Sequence, residues 1–395
     1  MKNILISSSA APDTGSGIST YSKELAISIK NMNIDVHYFS PKPNDLNWLK
    51  KNQIKHIPSD PFGDPVKICR DLFFYIKKHN IDAVINNDNP YLQSIFPTIK
   101  CPAISIGHMN KRTIPKVACY ANQWTDYVVT ISNDMHYIYV NKYKTPITKT
   151  QIIHNGINDH NHDIKYNQID NNKLNILYSG GDLKIKGADL LVKSITKYPE
   201  IWGKTNIHWY GNVSNKIIKK LKKHNVNFHG RVPREKLIEK LKNSDVFLLP
   251  SRLEGCPMTL IEAMAYGIAP ITSNGQGAMR WMVNSGEDGY ICHIDDWAKQ
   301  AAECVEHLNN NKHILLSMKK KSRHSYLLRF KAEFVAEKIL NLLKNPTVNR
   351  DNPLSKIKAI KWHRPRSPSF FDRIYWRLEI LKRTDYFDII RGHID

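Results

Sequence analysis

Short apolar runs alternate with stretches of helical period from the first residues onward. "NILIS" and "DVHYFS" read as buried strands, and "YSKELAISIKNM" between them spaces its apolar residues for one face of a helix. "KICRDLFFYIKKH" is a second helix, and "DAVIN", "AISIG" and "YVVTIS" continue the strands. This βαβ rhythm predicts a parallel sheet with helices on both faces. Over residues 159–173 ("DHNHDIKYNQIDNNK") the pattern gives way to a polar Asn/His/Asp-rich stretch, the expected linker. The rhythm then restarts with the strands "LNILYSGG", "IHWYG", "VNFHG", "VFLLPS" and "APITS". The helices "ADLLVKSITKY", "REKLIEKLKNS", "TLIEAMAYG" and "WAKQAAECVEHLNN" accompany them, and "AEFVAEKILNLLKN" is the last. Two α/β domains are therefore expected, residues 1–165 and 166–345, with 346–395 as an added tail. A cleft is expected between the carboxyl ends of their two sheets.

Composition adds sign rather than class. Hydrophobic residues are 41% and charged residues 24%, an ordinary globular balance, but Lys+Arg 58 against Asp+Glu 36 leaves +22. Such an excess points to an anionic partner: nucleic acid, an acidic membrane face or a phosphorylated substrate. The six cysteines have no paired spacing and no His/Cys cluster, so reduced thiols are expected and neither a disulfide framework nor a zinc site. The N-terminus lacks a signal-peptide core, and no run reaches the roughly 20 apolar residues of a membrane span.

The chemistry concentrates in "VFLLPSRLEGCPMTLIEAMAYG", residues 246–267, where Glu254 and Glu262 stand seven residues apart around "GCP". Pro257 suits the first helical position and Cys256 is a poor N-cap, leaving the amides of Met258 and Thr259 without a side-chain acceptor. Bare amides at the positive end of a helix dipole form an anion site, most naturally for phosphate. Carboxylates on either side repel phosphate but accept hydrogen bonds from sugar and ribose hydroxyls. A nucleotide-sugar satisfies both, though an isolated Glu pair at this spacing also arises by chance.

The segment "DVFLLPSRLEGCPMTLIEAMAYGIAPITS" resembles the Glu-x7-Glu signature of retaining glycosyltransferases of the GT-B fold, family 4, and the resemblance covers most of residues 1–345. It implies an α/β fold of two Rossmann-like domains facing across a cleft, the first on the acceptor side and the second binding the donor. It also implies that Glu254 contacts the donor sugar and Glu262 the ribose, with Gly255, Cys256, Pro257, Met258 and Thr259 lining the donor loop. "GSGISTYSKELAISI" is similar to the family's first Gly-rich loop, implying that Gly15 and Gly17 approach the donor phosphate or the acceptor. "ISIGHMN" puts His108 where the family keeps a histidine near the transferred sugar, and "QIIHNGIN" resembles its Asn-Gly-Ile-Asp with Asn158 for Asp. "SGGDLKIKG" keeps Lys186 and Gly187 but has Gly181 at the family's arginine position, leaving Lys184 open as a replacement. "GQGAMRW" keeps Gly277 and puts Arg280 where Glu is usual. Arg231, in "HGRVP", either lines the base pocket or is simply exposed.

Glu254, His108 and Lys186 are accordingly the expected catalytic groups, with a UDP- or GDP-linked sugar as donor. No Asp-x-Asp triplet occurs, so no metal is expected; Lys186 and helix amides would neutralise the leaving diphosphate. The expected acceptor is a saccharide or lipid-linked saccharide in bacterial lipopolysaccharide or capsule synthesis, with the enzyme cytoplasmic and peripheral on the inner membrane face. The tail "KIKAIKWHRPRSPSFFDRIYWRLEILKR" interleaves Lys and Arg with aromatics, which suits an anionic membrane surface at about 1 kcal/mol per charge. It equally suits a helix docked on the first domain. Two rivals remain. One is a nucleotide-sugar epimerase of the same fold. The other is a polyanion-binding protein, against which stands the lack of any nucleic-acid-binding motif.

Overall fold

A computed structural model of the chain describes residues 1–60, 63–108, 114–159, 164 and 173–354. They form two compact units: the first holds residues 1–131, 135–153 and 336–354, the second 132–134 and 154–335. The chain thus changes unit at 153/154, earlier than the expected 165/166, and returns to the first unit at 335/336, within its last helix, Ala332–Lys344. Most of the polar stretch 159–173 and all of the tail from 355 lie outside the described residues.

Unit 1 is a seven-stranded sheet of β1 (Asn3–Ser8), β2 (Asp35–Pro41), β3 (Lys55–Ser59), β4 (Ala83–Asn87), β5 (Ala103–Gly107), β6 (Tyr127–Thr130) and β7 (Thr150–Ile152). The spatial order is β3-β2-β1-β4-β5-β6-β7 and every pair is parallel. The central strands are buried on both faces, at nearly every position rather than at alternate ones. The strands that pattern alone missed, β3 and β7, are the two edges. β3 is half-exposed and contains Pro58, which an edge tolerates because its missing N–H costs no ladder bond.

After β1 the chain enters the helix Gly17–Asn31, one turn longer than its apolar period suggests, because Ser16 caps it by accepting from the Ser19 amide. A segment beyond the last helix straps back onto this unit. Asp126, buried at the start of β6, accepts from the Thr347 and Val348 amides (2.9 and 2.8 Å) and from Arg350 Nη2 at 2.8 Å. Arg350 also donates to the Phe96 and Trp124 carbonyls, so both members of this buried ion pair are hydrogen-bonded.

Unit 2 repeats the plan with β8 (Leu174–Ser179), β9 (Thr205–Tyr210), β10 (Val226–Gly230), β11 (Val246–Leu249), β12 (Leu253–Glu254), β13 (Ala269–Ser273), β14 (Gln276–Gly277) and β15 (Tyr290–Cys292). Six of these form a parallel sheet in the order β10-β9-β8-β11-β13-β15, while β12 and β14 pair separately. Trp202, Trp209 and Trp297 are fully buried in its core, and each indole N–H finds an acceptor: Ser194 Oγ, the Gly181 carbonyl and the Thr272 carbonyl. The helix Lys312–Arg329, basic over much of its length, buries Leu315, Met318 and Tyr326 along one side. It is held as well by buried polar anchors, Ser322 to the Ile268 carbonyl and Arg323 to the Ala265 carbonyl.

In both sheets the strand order reverses beside the first strand, between β1 and β4 and between β8 and β11. The chain leaves these neighbouring carboxyl ends in opposite directions, so each unit opens a crevice at that point.

Candidate functional site

In unit 2 the crevice is built by the loops that follow β8 and β11. After Ser179 the chain turns through Gly180 and Gly181, whose amides donate to the Tyr210 carbonyl, and reaches a short 3-10 turn at Lys184–Lys186. Gly181 has φ +60°, and a Cβ there would lie 2.8 Å from the Asn212 carbonyl oxygen. Gly187, at φ +75°, is tighter still, since a Cβ would sit 2.0 Å from the Pro250 carbonyl oxygen. Both glycines therefore let backbone meet backbone, and the second one brings Lys186 against the loop after β11.

There Lys186 Nζ donates to both oxygens of Glu254, at 2.7 and 2.9 Å, and Ser251 Oγ donates to Oε1 at 2.7 Å. Glu254 is 8% exposed, while the lysine side chain is about a third open to water. The Glu254 backbone is held as well: β12 pairs with β14, placing Glu254 opposite Gly277. At Gly277 (φ +108°) a Cβ would fall 1.5 Å from the Glu254 carbonyl oxygen. The Gly277 amide donates to Asp134 Oδ2, whose other oxygen takes Arg280 at 2.6 Å. Arg280, the departure from the family's glutamate, thus pairs with a carboxylate instead of supplying one.

The helix Met258–Ala265 starts one residue later than its sequence suggests. Pro257, not Cys256, is the N-cap, because its ψ of 114° is extended and its carbonyl already accepts from Leu260 and Ile261. The functional consequence is unchanged: among the described residues the amides of Met258 and Thr259 have no acceptor. The other end of this helix is satisfied. Arg323 Nη1 donates to the Ala265 carbonyl at 2.6 Å, so a cation neutralises the negative end while the positive end stays bare. Cys256 is buried, its carbonyl accepts from Asn155 Nδ2 at 2.8 Å, and burial pushes its thiol up to about 12. A thiol so protonated is no nucleophile at neutral pH. Gly255 lends its carbonyl to the Ala278 amide.

Glu262, in the second turn, is buried and bound through Oε1 by Nε and Nη2 of Arg234 at 2.9 and 2.7 Å. Arg234 was missed in the sequence; Arg231, which the sequence left as either a base-pocket or an exposed residue, is exposed. One signal was available: an arginine opening a helix (Arg234–Lys242) opposes the dipole and calls for a compensating carboxylate. Arg234→Ala and Glu262→Ala should each weaken nucleotide affinity about tenfold, the scale of a charge-assisted hydrogen bond. The double variant should lose no more than the worse single one. Isothermal titration with UDP and GDP measures this, and additive losses would mean the two side chains act apart.

The remaining expected residues belong to unit 1. Gly15 (φ +64°) makes a turn that favours glycine, whereas Gly17 has ordinary φ; a Cβ at either meets nothing within 4 Å. His108, just past β5, is 4% exposed, and burial pushes it down to about 3, so it is neutral. Its Nε2 lies 3.0 Å from Asn87 Oδ1. Since an amide oxygen only accepts, Nε2 carries the proton. Lys184 is exposed. Among the described residues, no group of three or more His, Cys, Asp or Glu is placed to hold a metal ion.

Residues 159–325 match the family described as Glycosyl transferases group 1. A Klebsiella pneumoniae protein described as an uncharacterized 41.2 kDa protein in the cps region is 28% identical over 140 residues, 35% of this chain and 38% of that one. A lipopolysaccharide 1,6-galactosyltransferase of Salmonella typhimurium is 42% identical over 74 residues, 18% of this chain and 19% of that one. The matched stretches therefore span well under half the length of these curated relatives. A solved glycosyltransferase of Rickettsia africae matches 87% of this chain and 98% of its own at TM-score 0.73 and 17% identity, which shows the fold, α/β of the GT-B class.

Proposed function

We propose, from the match of residues 159–325 to the group 1 glycosyl transferases, that this protein transfers a sugar from a nucleotide-diphosphate-sugar to a saccharide acceptor with retention of anomeric configuration. The observation that carries this is the Lys186–Glu254 pair beside the bare amides of Met258 and Thr259, at the point where the second sheet reverses. A lysine ammonium has three donors and a carboxylate about four lone-pair sites. Glu254 uses two of the lysine's donors, and Lys186 and Ser251 use three of the carboxylate's sites. One donor and one acceptor are left over on the pair. The donor suits an oxygen of the diphosphate, and the acceptor suits a hydroxyl of the sugar it carries.

The bond between the anomeric carbon and the phosphate oxygen breaks as the acceptor oxygen bonds to the same face of that carbon. The acceptor's proton passes to the departing phosphate, so no protein nucleophile is required. Lys186 and the two amides receive the charge that develops on the diphosphate, which is where preorganised donors lower the barrier most. Glu262, held by Arg234, takes the ribose hydroxyls. These groups supply the charge compensation without a divalent ion. Transfer should therefore persist in excess EDTA, scored by anomeric NMR of the product from a panel of UDP- and GDP-sugars. Loss of activity on chelation, restored by manganese or magnesium, would refute the metal-independent mechanism. Sugar isomerisation with donor alone would favour an epimerase.

The acceptor is proposed to be lipid-linked, within lipopolysaccharide or a related surface polysaccharide, with the enzyme at the cytoplasmic membrane face. The relatives from a cps region and from lipopolysaccharide synthesis support this, as does the basic, aromatic tail. Among the described residues no helix is long and apolar enough to cross a membrane. Residues 355–383 carry nine Lys or Arg against two acidic residues. The full chain should co-sediment with phosphatidylglycerol vesicles, less so as salt rises. A chain ending at Leu354 keeps the Arg350 strap, so it should stay folded and bind less. Equal binding by both would remove the tail from membrane contact.

A further inference from the structure

All six cysteines are free, and two of them lie together in unit 2. Cys292 ends β15, an edge strand that pairs with β13 over three residues. Cys304 lies midway along the helix Trp297–Asn310, which packs on that strand. A neighbouring pair fixes how the two cysteines face. Alternation puts Tyr290 and Cys292 on one face of β15, and a spacing of three puts Cys304 and His307 on one face of the helix. The Tyr290 and His307 rings meet edge to face, with centroids 6.5 Å apart. Two strand residues span about 6.6 Å and three helical residues about 4.5 Å, so the same line of contact brings Cys304 over Cys292. Cys292 belongs to the apolar cluster of Trp297, Ala301 and Val305, and Cys304 packs against that cluster.

The two thiols differ in access and in proton. Cys292 is 2% exposed, whereas Cys304 is half-buried and open to solvent on one side. The Cys292 thiol donates to the Cys304 sulfur, which holds Cys304 below the usual thiol range and Cys292 above it. Elsewhere burial pushes the thiols up, Cys69, Cys101 and Cys256 to about 12 and Cys119 to about 11. Thiolate character and access decide where an oxidant reacts, and they coincide at Cys304.

We propose that Cys304 and Cys292 form a redox modification site, a dithiol that a small hydroperoxide converts reversibly to a disulfide stapling β15 to the helix Trp297–Asn310.

With hydrogen peroxide the steps balance. The Cys304 sulfur attacks one peroxide oxygen, so an S–O bond forms, the O–O bond breaks and a first water leaves with the Cys304 proton. The Cys292 sulfur then displaces the oxygen from Cys304. The S–S bond forms as the S–O bond breaks, and the Cys292 proton leaves with that oxygen as a second water. Two thiols are oxidised by two electrons and one peroxide is reduced. The staple holds a strand that anchors the loop leading to Gly277: the Asn274 amide donates to the Cys292 carbonyl at 3.0 Å, and the Ile294 amide donates to Asn274 Oδ1 at 2.8 Å. None of this rests on the transfer activity.

Stoichiometric hydrogen peroxide on the intact protein, followed by peptide mapping without reductant, tests the proposal. Cys292 should be found joined to Cys304, two hydrogens lighter than the reduced pair, and dithiothreitol should restore both thiols. The oxidised protein should melt several degrees above the reduced one, because the cross-link restricts the unfolded chain. In the reduced parent, iodoacetamide should alkylate Cys304 about tenfold faster than Cys101 or Cys119. Cys292→Ala should stop the reaction at a Cys304 sulfenic acid that dimedone labels, and Cys304→Ser should leave Cys292 unlabelled. The proposal is overturned if the parent forms no such cross-link, if Cys101 or Cys119 reacts as fast, or if the oxidised protein melts lower. Dimedone labelling of Cys292 in the Cys304→Ser protein would overturn it as well. Should either variant fail to fold, the parent's own cross-link and alkylation rates decide the matter.

Discussion

Lys186→Ala should lower kcat by about a hundred- to a thousandfold, roughly 3–4 kcal/mol, the loss found when one preorganised donor is removed from a developing anion. In the proposed transfer the lysine's third donor serves the diphosphate, and its demand peaks as the sugar leaves. The effect should therefore fall on kcat more than on KM. The substitution also leaves the 8%-exposed Glu254 without its cation, so some stability is lost. Ser251 Oγ retains one hydrogen bond to that carboxylate, and water reaches the lysine side of the pair, which keeps the loss small. Glu254→Gln in the Lys186→Ala background separates the two effects: the melting temperature should recover while turnover stays low. Steady-state kinetics with a matched donor and scanning calorimetry provide both readings. A fall of less than about twofold in kcat would leave Lys186 as a structural partner of Glu254 and nothing more.

Gly277→Ala should abolish transfer although Gly277 has no side chain to offer. At φ +108° any L-residue is strained, at a cost of about 1–3 kcal/mol. The new methyl would also fall 1.5 Å from the Glu254 carbonyl oxygen, so the β12–β14 pairing must open. Glu254 then moves off Lys186, and a shift of about 1 Å in a reacting group is worth roughly a hundredfold in rate. Gly286→Ala is the control. Its φ is +85°, so it pays similar strain, but a Cβ there meets nothing within 4 Å. Both variants should melt lower than the parent, and only Gly277→Ala should lose transfer. Equal activity in the two would show that the β12–β14 pairing does not position Glu254.

The sequence determined by itself what depends on local period and local chemistry. Apolar runs on strands buried on both faces, helical spacing between them and the bare start of the helix Met258–Ala265 are all short-range features, legible within about two turns of chain. Edge strands β3, β7 and β15 escaped because half-exposed or very short strands carry no such pattern. The residues flagged by resemblance, Glu254, Glu262, Lys186 and Gly277, were legible as positions but not as partners. Tertiary structure alone decided that Lys186 meets Glu254 across 68 residues and that Glu262 belongs to Arg234. It also decided that Arg323 neutralises the far end of the helix whose near end stays free. The reason is the parallel sheet: each crossover sends consecutive strands through a whole helix before they lie side by side. The loops that meet at a reversal point are therefore distant in sequence, and which of their side chains pair is decided only when the sheet closes.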